Sequence, residues 1–210
     1  MNQNIHIIDH AVIHDRMTIL RDKNTPSYMF RQCLNDIALI LAVEATRHLP
    51  MEQKRVETPL APYKGSALVG TPLIVPILRA GLALSDSLQR IIPHADTGHI
   101  GLARDHDTHE PFEYLNRLPE NLDRPVFVVD PMLATAGSML ATLEILKAEG
   151  ANMTQVTIIT LVCAPEGLDR LYKVFPEITV YAAAIDSHLD DSAYIVPGLG
   201  DAGDRYFGTD

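Results

Sequence analysis

The sequence predicts an α/β protein in which a parallel β-sheet is flanked by helices on both faces. Short apolar runs rich in β-branched residues, as at 72–78 and 126–130, alternate with segments of helical periodicity. The first run is followed by Arg79 and the second ends in Asp130, and each leads through small residues into a helix. Continuous apolar strands are typical of parallel sheets covered on both faces, and ligands bind where such strands end. We therefore expect a functional site at the carboxyl edge of the sheet.

Composition limits the class of function. The chain has 210 residues, of which 47% are hydrophobic, so residues 1–210 suit one domain with a substantial core. The formal net charge of -10 argues against non-specific binding to nucleic acid or to an anionic membrane surface. Cys33 and Cys163 lack CxxC spacing, and neither a signal peptide nor a transmembrane segment is predicted. We expect a cytoplasmic protein with reduced thiols.

Three histidines lie four residues apart near the N-terminus. His6, His10 and His14 would share one face of a helix and could then bind a metal. The apolar residues at 5–8 instead favour a strand, so we expect these histidines to be solvated or to cap a helix.

The first 70 residues or so are expected to form a helical and interface segment. Thr25 is predicted to cap a helix that begins at Pro26 and ends before Pro50, because apolar residues recur between them at helical spacing. Residues 51–70 are polar and contain several prolines and glycines. We interpret them as an irregular connecting or interface segment.

The core is expected to span about residues 71–185. A buried strand at 72–78 delivers Arg79, whose permanently charged, forked guanidinium suits a diphosphate, and a helix is predicted at 82–92. A third strand is predicted at 98–103. The run of histidines and acids at 105–110 is expected to be a solvated loop, because it lacks a fixed metal-ligand spacing.

The central stretch carries the strongest chemical signal. A buried strand at 126–130 ends in Asp130, a loop of small residues follows, and a helix is predicted at 138–149 with Gly150 closing it. Such a loop directs backbone N–H groups and the positive end of the helix dipole at one point, which favours a phosphate. Asp130 beside it can accept hydrogen bonds from two hydroxyls. The pattern suits a ribose 5-phosphate; an ordinary strand-to-helix turn is the alternative.

The remaining chain continues the alternation and then becomes rich in glycine. A strand is predicted at 155–162, a helix at 165–175 and a strand at 178–184. Residues 194–209 contain a formal GxGxxG, but it neither follows the first strand nor has an acid about twenty residues later, so a dinucleotide site is excluded. We expect an irregular loop whose backbone can recognise the edge of a flat heterocycle.

Three of these segments resemble the phosphoribosyltransferases. Residues 130–135 are similar to the loop that binds the 5-phosphate of phosphoribosyl diphosphate (PRPP), and Pro131 in place of a second acid resembles uracil phosphoribosyltransferases in particular. Residues 75–81 resemble their diphosphate loop, and residues 194–209 resemble their uracil-binding hood. The resemblance implies a type I phosphoribosyltransferase fold, a hood over about residues 186–210, and the reaction of uracil with PRPP to give UMP and diphosphate.

The resemblance also implies roles for individual residues. Asp130, Asp201 and Arg79 are the expected catalytic residues. Uracil would be contacted by Ile195, Gly200, Asp201 and Ala202. PRPP would be bound by Arg79, Arg104, Asp130, Pro131, Met132, Leu133, Ala134, Thr135, Ala136, Gly137, Ser138 and Asp201.

No protein metal site is implied, because Mg²⁺ would arrive bound mainly to PRPP. A homodimer or homotetramer is implied by resemblance alone, and the sequence leaves activation by GTP open. Ala136 departs from the glycine usual in the family; if its φ is positive, the side chain costs about 1 kcal/mol and weaker PRPP binding is expected. Two alternatives stay open: an RNA-binding regulator on the same fold, and a phosphoribosyltransferase for another base.

Overall fold

The computed structural model describes residues 4–104 and 111–209, without the side chains of residues 102–104 and 111–113. The strands are β1 (Ile5–Ile7), β2 (Met51–Glu57), β3 (Pro62–Leu68), β4 (Leu73–Pro76), β5 (Asp96–Thr97), β6 (His99–Arg104), β7 (Pro111–Arg117), β8 (Val126–Val129), β9 (Met132–Leu133), β10 (Val156–Cys163), β11 (Thr179–Ile185), β12 (His188–Leu189) and β13 (Ile195–Val196). The helices are α1 (Ala11–Arg21), α2 (Ser27–Ala45), α3 (Leu82–Ile91), α4 (Gly137–Ala148), α5 (Pro165–Val174) and α6 (Ala202–Phe207).

A parallel sheet in the order β1-β11-β10-β8-β4-β5 forms the centre, with the short β9 also paired to β10. Successive residues of each strand point to opposite faces. Ile74 and Phe127 pack with α1, α2 and α3, whereas Val75 and Val128 pack with α4 and α5. Helices therefore cover both faces, and the predicted fold class is confirmed.

The predicted third strand is present as β6, but it pairs outside the central sheet. Only β5 extends the central sheet, by pairing with β4, and β6 pairs antiparallel with β7. Because β4 ends at Pro76, the longer β6 has little backbone beside it beyond a bridge between Ile77 and Ile100. It pairs instead with the strand that returns after residues 105–110, which lie outside the described part of the chain.

Two further expectations in the N-terminal 70 residues are wrong in detail. The segment 51–70 is not irregular, because β2 and β3 pair antiparallel along their full length. The Thr58 hydroxyl fixes their connection by accepting from the N–H groups of Leu60 and Ala61. Pro26, not Thr25, holds the cap position of α2, since the Thr25 hydroxyl donates to the carbonyl of Ile19 at 2.6 Å.

The C-terminal segment is more regular than expected. Strands β12 and β13 form a hairpin, and α6 follows. The Asp201 carboxylate begins that helix, because Oδ1 accepts from the N–H of Asp204 at 3.0 Å. None of the described helices is long and apolar enough to cross a membrane.

Candidate active site

Two adjoining cavities lie where the central strands end. One, of about 240 Å³, lies between the end of β8 and the hood, and the other, of about 100 Å³, lies against the start of α4. Asp130, Met132 and Ala134 line both. The larger cavity is also lined by Ala80, Ala193, Tyr194, Gly200, Asp201, Ala202 and Gly203. The smaller is also lined by Thr135, Ala136, Gly137, Ser138 and Met139.

Asp130 occupies the junction of the two cavities. It directly follows the buried strand β8, and its N–H donates to the carbonyl of Ile159 at 3.2 Å. Desolvation by the surrounding protein raises the pKa of the carboxyl to about 7, against a lowering by the N–H of Met132, and the negative charge of Asp201 raises it further. The free site therefore keeps a proton on Asp130 up to a higher pH than an ordinary carboxyl would.

The smaller cavity, where the sequence predicts phosphate binding, is formed by the loop before α4. Ala136 has a left-handed conformation, with φ of 60° and ψ of 10°, and α4 begins at the next residue. The first N–H groups of a helix have no intrahelical acceptors, so the turn at Gly137 and Ser138 presents positive potential to the smaller cavity. The Gly137 N–H donates a long hydrogen bond to the Thr135 hydroxyl at 3.4 Å. Two other predicted residues of this loop are held by backbone hydrogen bonds. The carbonyl of Pro131 accepts from the N–H groups of Leu161 and Val162, and the carbonyl of Leu133 accepts from the N–H of Ala164.

Helix α5 supports this loop from behind. A Cβ at Gly167 would lie 2.0 Å from the carbonyl oxygen of Ala134, so only a glycine allows this close approach. Arg170, on the same helix, donates to the carbonyl of Thr135 at 3.2 Å. Sequence reasoning assigned no role to either residue, because their link to the loop is tertiary.

Arg79 lies beyond β4, in the turn that opens α3. Gly81 makes that turn possible, because a Cβ there would lie 2.4 Å from the carbonyl oxygen of Val129 in β8. The peptide bond between Leu78 and Arg79 is cis. Arg79 Nη2 donates to Asp204 Oδ1 at 3.0 Å, and the Arg79 side chain is 60% exposed. The predicted diphosphate residue thus contacts the hood helix α6 in the free protein.

The hood contributes backbone and one acid to the larger cavity. Gly200, Asp201 and Ala202 line it directly, whereas Ile195 is buried in β13. Tyr194, which had no predicted role, also lines the cavity and is half exposed. The predicted hood residues and the predicted phosphate loop thus lie on opposite sides of Asp130.

Arg104, the His-rich run that follows it and the N-terminal histidines are the remaining residues that the sequence singled out. Arg104 ends β6, and its side chain lies outside the described part of the structure, as does the His-rich run at 105–110. The N-terminal histidines do not converge: His10 caps α1 by accepting from the N–H of Val12, and His6 stacks on Tyr181. Among the described residues no cluster of three or more potential metal ligands occurs.

A second set of site-supporting residues was missed by sequence reasoning. Arg21 at the end of α1 forms a bidentate ion pair with Asp186, which directly follows β11. Arg205 on α6 donates to the carbonyls of Leu20 and Leu199. These residues are far apart in the chain, and no local pattern marks them.

The sheet order, the loop before α4 and the acid at the end of β8 define a type I phosphoribosyltransferase, an enzyme of the transferase class. Solved structures share this fold. The AQ2163 protein from Aquifex aeolicus aligns with a TM-score of 0.91 at 32% identity, covering 98% of each chain. The purine phosphoribosyltransferase of Pyrococcus horikoshii aligns with a TM-score of 0.50 at 18% identity, covering 73% of this chain and 86% of its own.

The chain belongs to the uracil phosphoribosyltransferase family. The family model for uracil phosphoribosyltransferase matches residues 7–209. The uracil phosphoribosyltransferase of Caldanaerobacter subterraneus is 46% identical over 211 residues, covering 100% of both chains. That of Listeria monocytogenes is 47% identical over 208 residues, covering 98% of this chain and 99% of its own. The resemblance seen in three sequence segments therefore extends over the whole chain.

Proposed function

We propose that this protein transfers the 5-phosphoribosyl group of PRPP to uracil, giving UMP and diphosphate. The supporting observation is the pair of cavities that share Asp130: a hood lined by backbone on one side and a helix N-terminus on the other. A ribose at Asp130 would direct its 5-phosphate to the smaller cavity and its anomeric carbon to the larger. Family membership supports the same substrates.

The chemistry needs no protein nucleophile. The base bonds to the anomeric carbon as the bond to diphosphate breaks, through a transition state with oxocarbenium character. The protein then acts by positioning the reactants and stabilising charge. Ionised Asp130 would accept from the ribose hydroxyls and favour the developing cation. The N–H groups at Gly137 and Ser138 would hold the 5-phosphate, with Leu133 to Thr135 completing the loop.

The leaving diphosphate would be bound by Arg79 and Arg104. Arg79 is exposed beside the cavity and presents a forked donor, which suits a diphosphate. Its present partner Asp204 is a carboxylate that a more highly charged ligand can displace. Arg104 keeps the role implied by the family, at the end of the β6–β7 hairpin.

Uracil would be recognised by the backbone of the hood. Gly200 and Ala202 border the larger cavity, and we propose that they and Ile195 contact the O2, N3 and O4 edge of the base. An N–H directed at O4 rejects cytosine, because its amino group would face that donor unpaired.

Mg²⁺ would accompany PRPP. Burial is the main cause of the raised pKa of Asp130, and the negative charge of Asp201 adds to it, so a hydrated cation between the two carboxylates and PRPP suits the site. When bound, the ion would neutralise part of the diphosphate charge. The chain's own contribution is to hold Asp201 at the start of α6, where it can accept from a metal-bound water.

We propose a homo-oligomer, at least a dimer, in which a second copy covers the β2–β3 hairpin. All seven residues of β2 are exposed, and a groove of about 440 Å³ is lined by residues 55–57 and 62–64 at the turn end of the hairpin. A two-stranded hairpin alone is at best marginally stable in water. Its exposed apolar side chains are Met51, Val56, Leu60 and Tyr63.

Three remaining properties are proposed on more general grounds. Residues 1–210 would act as one domain, since the N-terminal, core and hood segments all contact one another around the sheet. A cytoplasmic location is supported by Cys33 and Cys163, which are buried and not joined in a disulfide. Activation by GTP rests on family likeness alone and is tested by adding GTP at fixed substrate concentrations.

The decisive experiment measures UMP formation from uracil and PRPP with Mg²⁺, in parallel with cytosine, hypoxanthine and adenine. We expect product with uracil only, and loss of at least a hundredfold in kcat/KM for Asp130→Asn. Product with another base would replace the proposed substrate. No product with uracil, with or without GTP, would contradict the proposed activity and direct attention to RNA binding.

A further inference from the structure

The base-binding loop is held by a buried ion pair outside the cavities. Arg21 Nη1 and Nη2 donate to Asp186 Oδ2 and Oδ1 at 2.8 and 2.6 Å. The Asp186 side chain is 4% exposed and that of Arg21 25%. Arg21 is the last residue of α1, and Asp186 is fixed by the sheet, since its N–H donates to the carbonyl of Cys163 at 2.8 Å. The pair therefore joins two rigid elements.

Both members of this pair also bind one residue of the hood. Arg21 Nη1 donates to the carbonyl of Gly198 at 2.7 Å, and the N–H of Gly198 donates to Asp186 Oδ2 at 2.9 Å. Gly198 has φ of 59°, and a Cβ there would lie 2.0 Å from the carbonyl oxygen of Ile195. Two residues later the chain reaches Gly200, the first of the consecutive residues proposed to contact uracil.

Arg205 forms a second link between the hood and the end of α1, by binding the residues on either side of Arg21. The Arg205 guanidinium donates to the carbonyls of Leu20 and Asp22, and also to that of Leu199 within the hood. It stacks over the ring of Phe30, with 4.4 Å from Cζ to the ring centroid. The end of α1 thus contacts the hood at two points, Gly198 and Arg205.

The loop needs such support because glycine does not fix its own conformation. Gly198 and Gly200 both have positive φ, and a glycine-rich segment populates many other conformations at similar energy. Recognition of a base edge by backbone groups requires those groups to be held within about 0.5 Å. A buried ion pair is weak support for stability in general but can select one arrangement among several.

We propose that Arg21 and Asp186 are positioning residues for base recognition, which makes the N-terminal helix α1 part of the uracil site. This inference rests on the proposed function and extends it to residues that contact neither substrate. Their effect should fall on uracil and not on PRPP, because the loop before α4 lies on the other side of Asp130.

The test compares Asp186→Asn and Arg21→Lys with the wild-type protein. An Asn amide cannot accept from both Arg21 nitrogens and from Gly198, and a Lys cannot form the fork. We expect the KM for uracil to rise at least tenfold in Asp186→Asn and about fivefold in Arg21→Lys, with the KM for PRPP within twofold of wild type. Arg21→Ala should partly recover its uracil KM when guanidinium ion is added at a non-denaturing concentration.

The matched control is Arg16→Lys, on the same helix. Arg16 Nε donates to Asp36 Oδ2 at 2.8 Å, so this variant weakens an Arg–Asp pair that joins α1 to α2 without touching the hood. It should leave both KM values within twofold. Equal rises in the uracil and PRPP KM of Asp186→Asn, or the same uracil effect in Arg16→Lys, would overturn the proposal in favour of general destabilisation.

A readout independent of catalysis separates this inference from the proposed function. Hydrogen exchange of peptides covering residues 195–202 should quicken at least tenfold in Asp186→Asn, while peptides covering 131–138 keep their wild-type rates. Unchanged exchange at 195–202 would overturn the positioning role even if the wild-type protein makes UMP. Faster exchange there in a protein that makes no UMP would contradict the proposed function alone.

Discussion

In the free protein, the surroundings of Asp130 disfavour its negative charge, whereas the proposed substrate requires that charge. Its pKa is raised to about 7, mainly because burial at the end of β8 desolvates the carboxyl. The folded state therefore keeps a proton that the unfolded chain releases near pH 4. As pH rises from about 4 to 7, this difference lowers the free energy of unfolding, by a few kcal/mol at most.

Asp130→Asn is accordingly expected to stabilise the free protein at pH 8 while removing activity. The neutral amide keeps the shape of the side chain and removes the cost of burying a charge. Urea unfolding at pH 5 and pH 8 measures this, and the gain should be large at pH 8 and small at pH 5. A variant less stable than wild type at pH 8 would contradict the raised pKa.

Ala136 adopts the positive φ that the sequence analysis considered. A non-glycine residue there costs about 1 kcal/mol, but the free protein already has this conformation, so the cost is common to free and bound states. Ala136 is also only 4% exposed, and removing its buried methyl group costs about 0.8 kcal/mol. The structure thus reduces the effect on PRPP affinity that the sequence suggested.

Ala136→Gly is therefore expected to change the KM for PRPP less than threefold and the free energy of unfolding by less than about 1 kcal/mol. Steady-state kinetics and urea unfolding check both. A tenfold fall in the PRPP KM would show instead that PRPP binding requires a further movement of this loop, which Ala136 resists.

We expect Asp204 to compete with diphosphate for Arg79, because the two side chains form a hydrogen-bonded ion pair. Its carboxylate accepts from Arg79 Nη2 and from the Thr209 hydroxyl, and both contacts hold its pKa below the usual range. In Asp204→Asn we expect diphosphate, titrated calorimetrically, to bind two- to fivefold more tightly, the range for one exposed ion pair. Asp191→Asn removes the same charge elsewhere in the hood and should change little. Weaker diphosphate binding in Asp204→Asn would show that Asp204 orients Arg79.

At the scale of elements, the phosphate loop depends on its contact with α5. This helix begins with Pro165 and brings Gly167 against the carbonyl of Ala134, where no side chain fits. We expect the proposed phosphate site to require this close approach.

Gly167→Ala should push the loop and α5 apart. We expect the KM for PRPP to rise at least tenfold, with a smaller effect on uracil, because a Cβ at Gly167 would meet the backbone of Leu133 and Ala134 in the loop before α4. The control is Asp169→Ala, an exposed position on the same helix, which should retain wild-type kinetics. A Gly167→Ala protein with normal PRPP kinetics would show that the loop can shift without loss of function.

Local sequence signals account for which strands and helices could be predicted. The strand, loop and helix from Val126 to Ala148 were predicted closely, because a buried β-branched run, small residues and a closing Gly150 are all local signals. The β6 strand was predicted near its observed bounds, but its pairing with β7 was not, since the choice between β4 and β7 depends on where β4 stops. The β2–β3 hairpin was missed because its strands are polar and exposed.

At the scale of the whole molecule, the β2–β3 hairpin stands out because every residue of β2 is exposed to solvent in the isolated chain. If a second copy covers it, introducing charge should weaken association. We expect the wild-type protein to sediment as a dimer or larger species at micromolar concentration, and the double variant Val56→Lys, Tyr63→Lys to shift toward monomer. Val174→Lys, at an exposed apolar position on α5, is the control. A monomeric wild-type protein would contradict the proposed assembly.

The family, the fold class and the existence of a loop between β8 and α4 follow from the amino-acid sequence, because each depends on residues close together in the chain. How the site is held together depends on tertiary contacts that the sequence does not reveal. Arg21 meets Asp186 across 165 positions, and Arg79 meets Asp204 across 125. Such pairs form because strands and helices bring their ends to one edge of the sheet. The physical reason is that periodicity and turn chemistry act locally, whereas the partner of a charged side chain is fixed by packing.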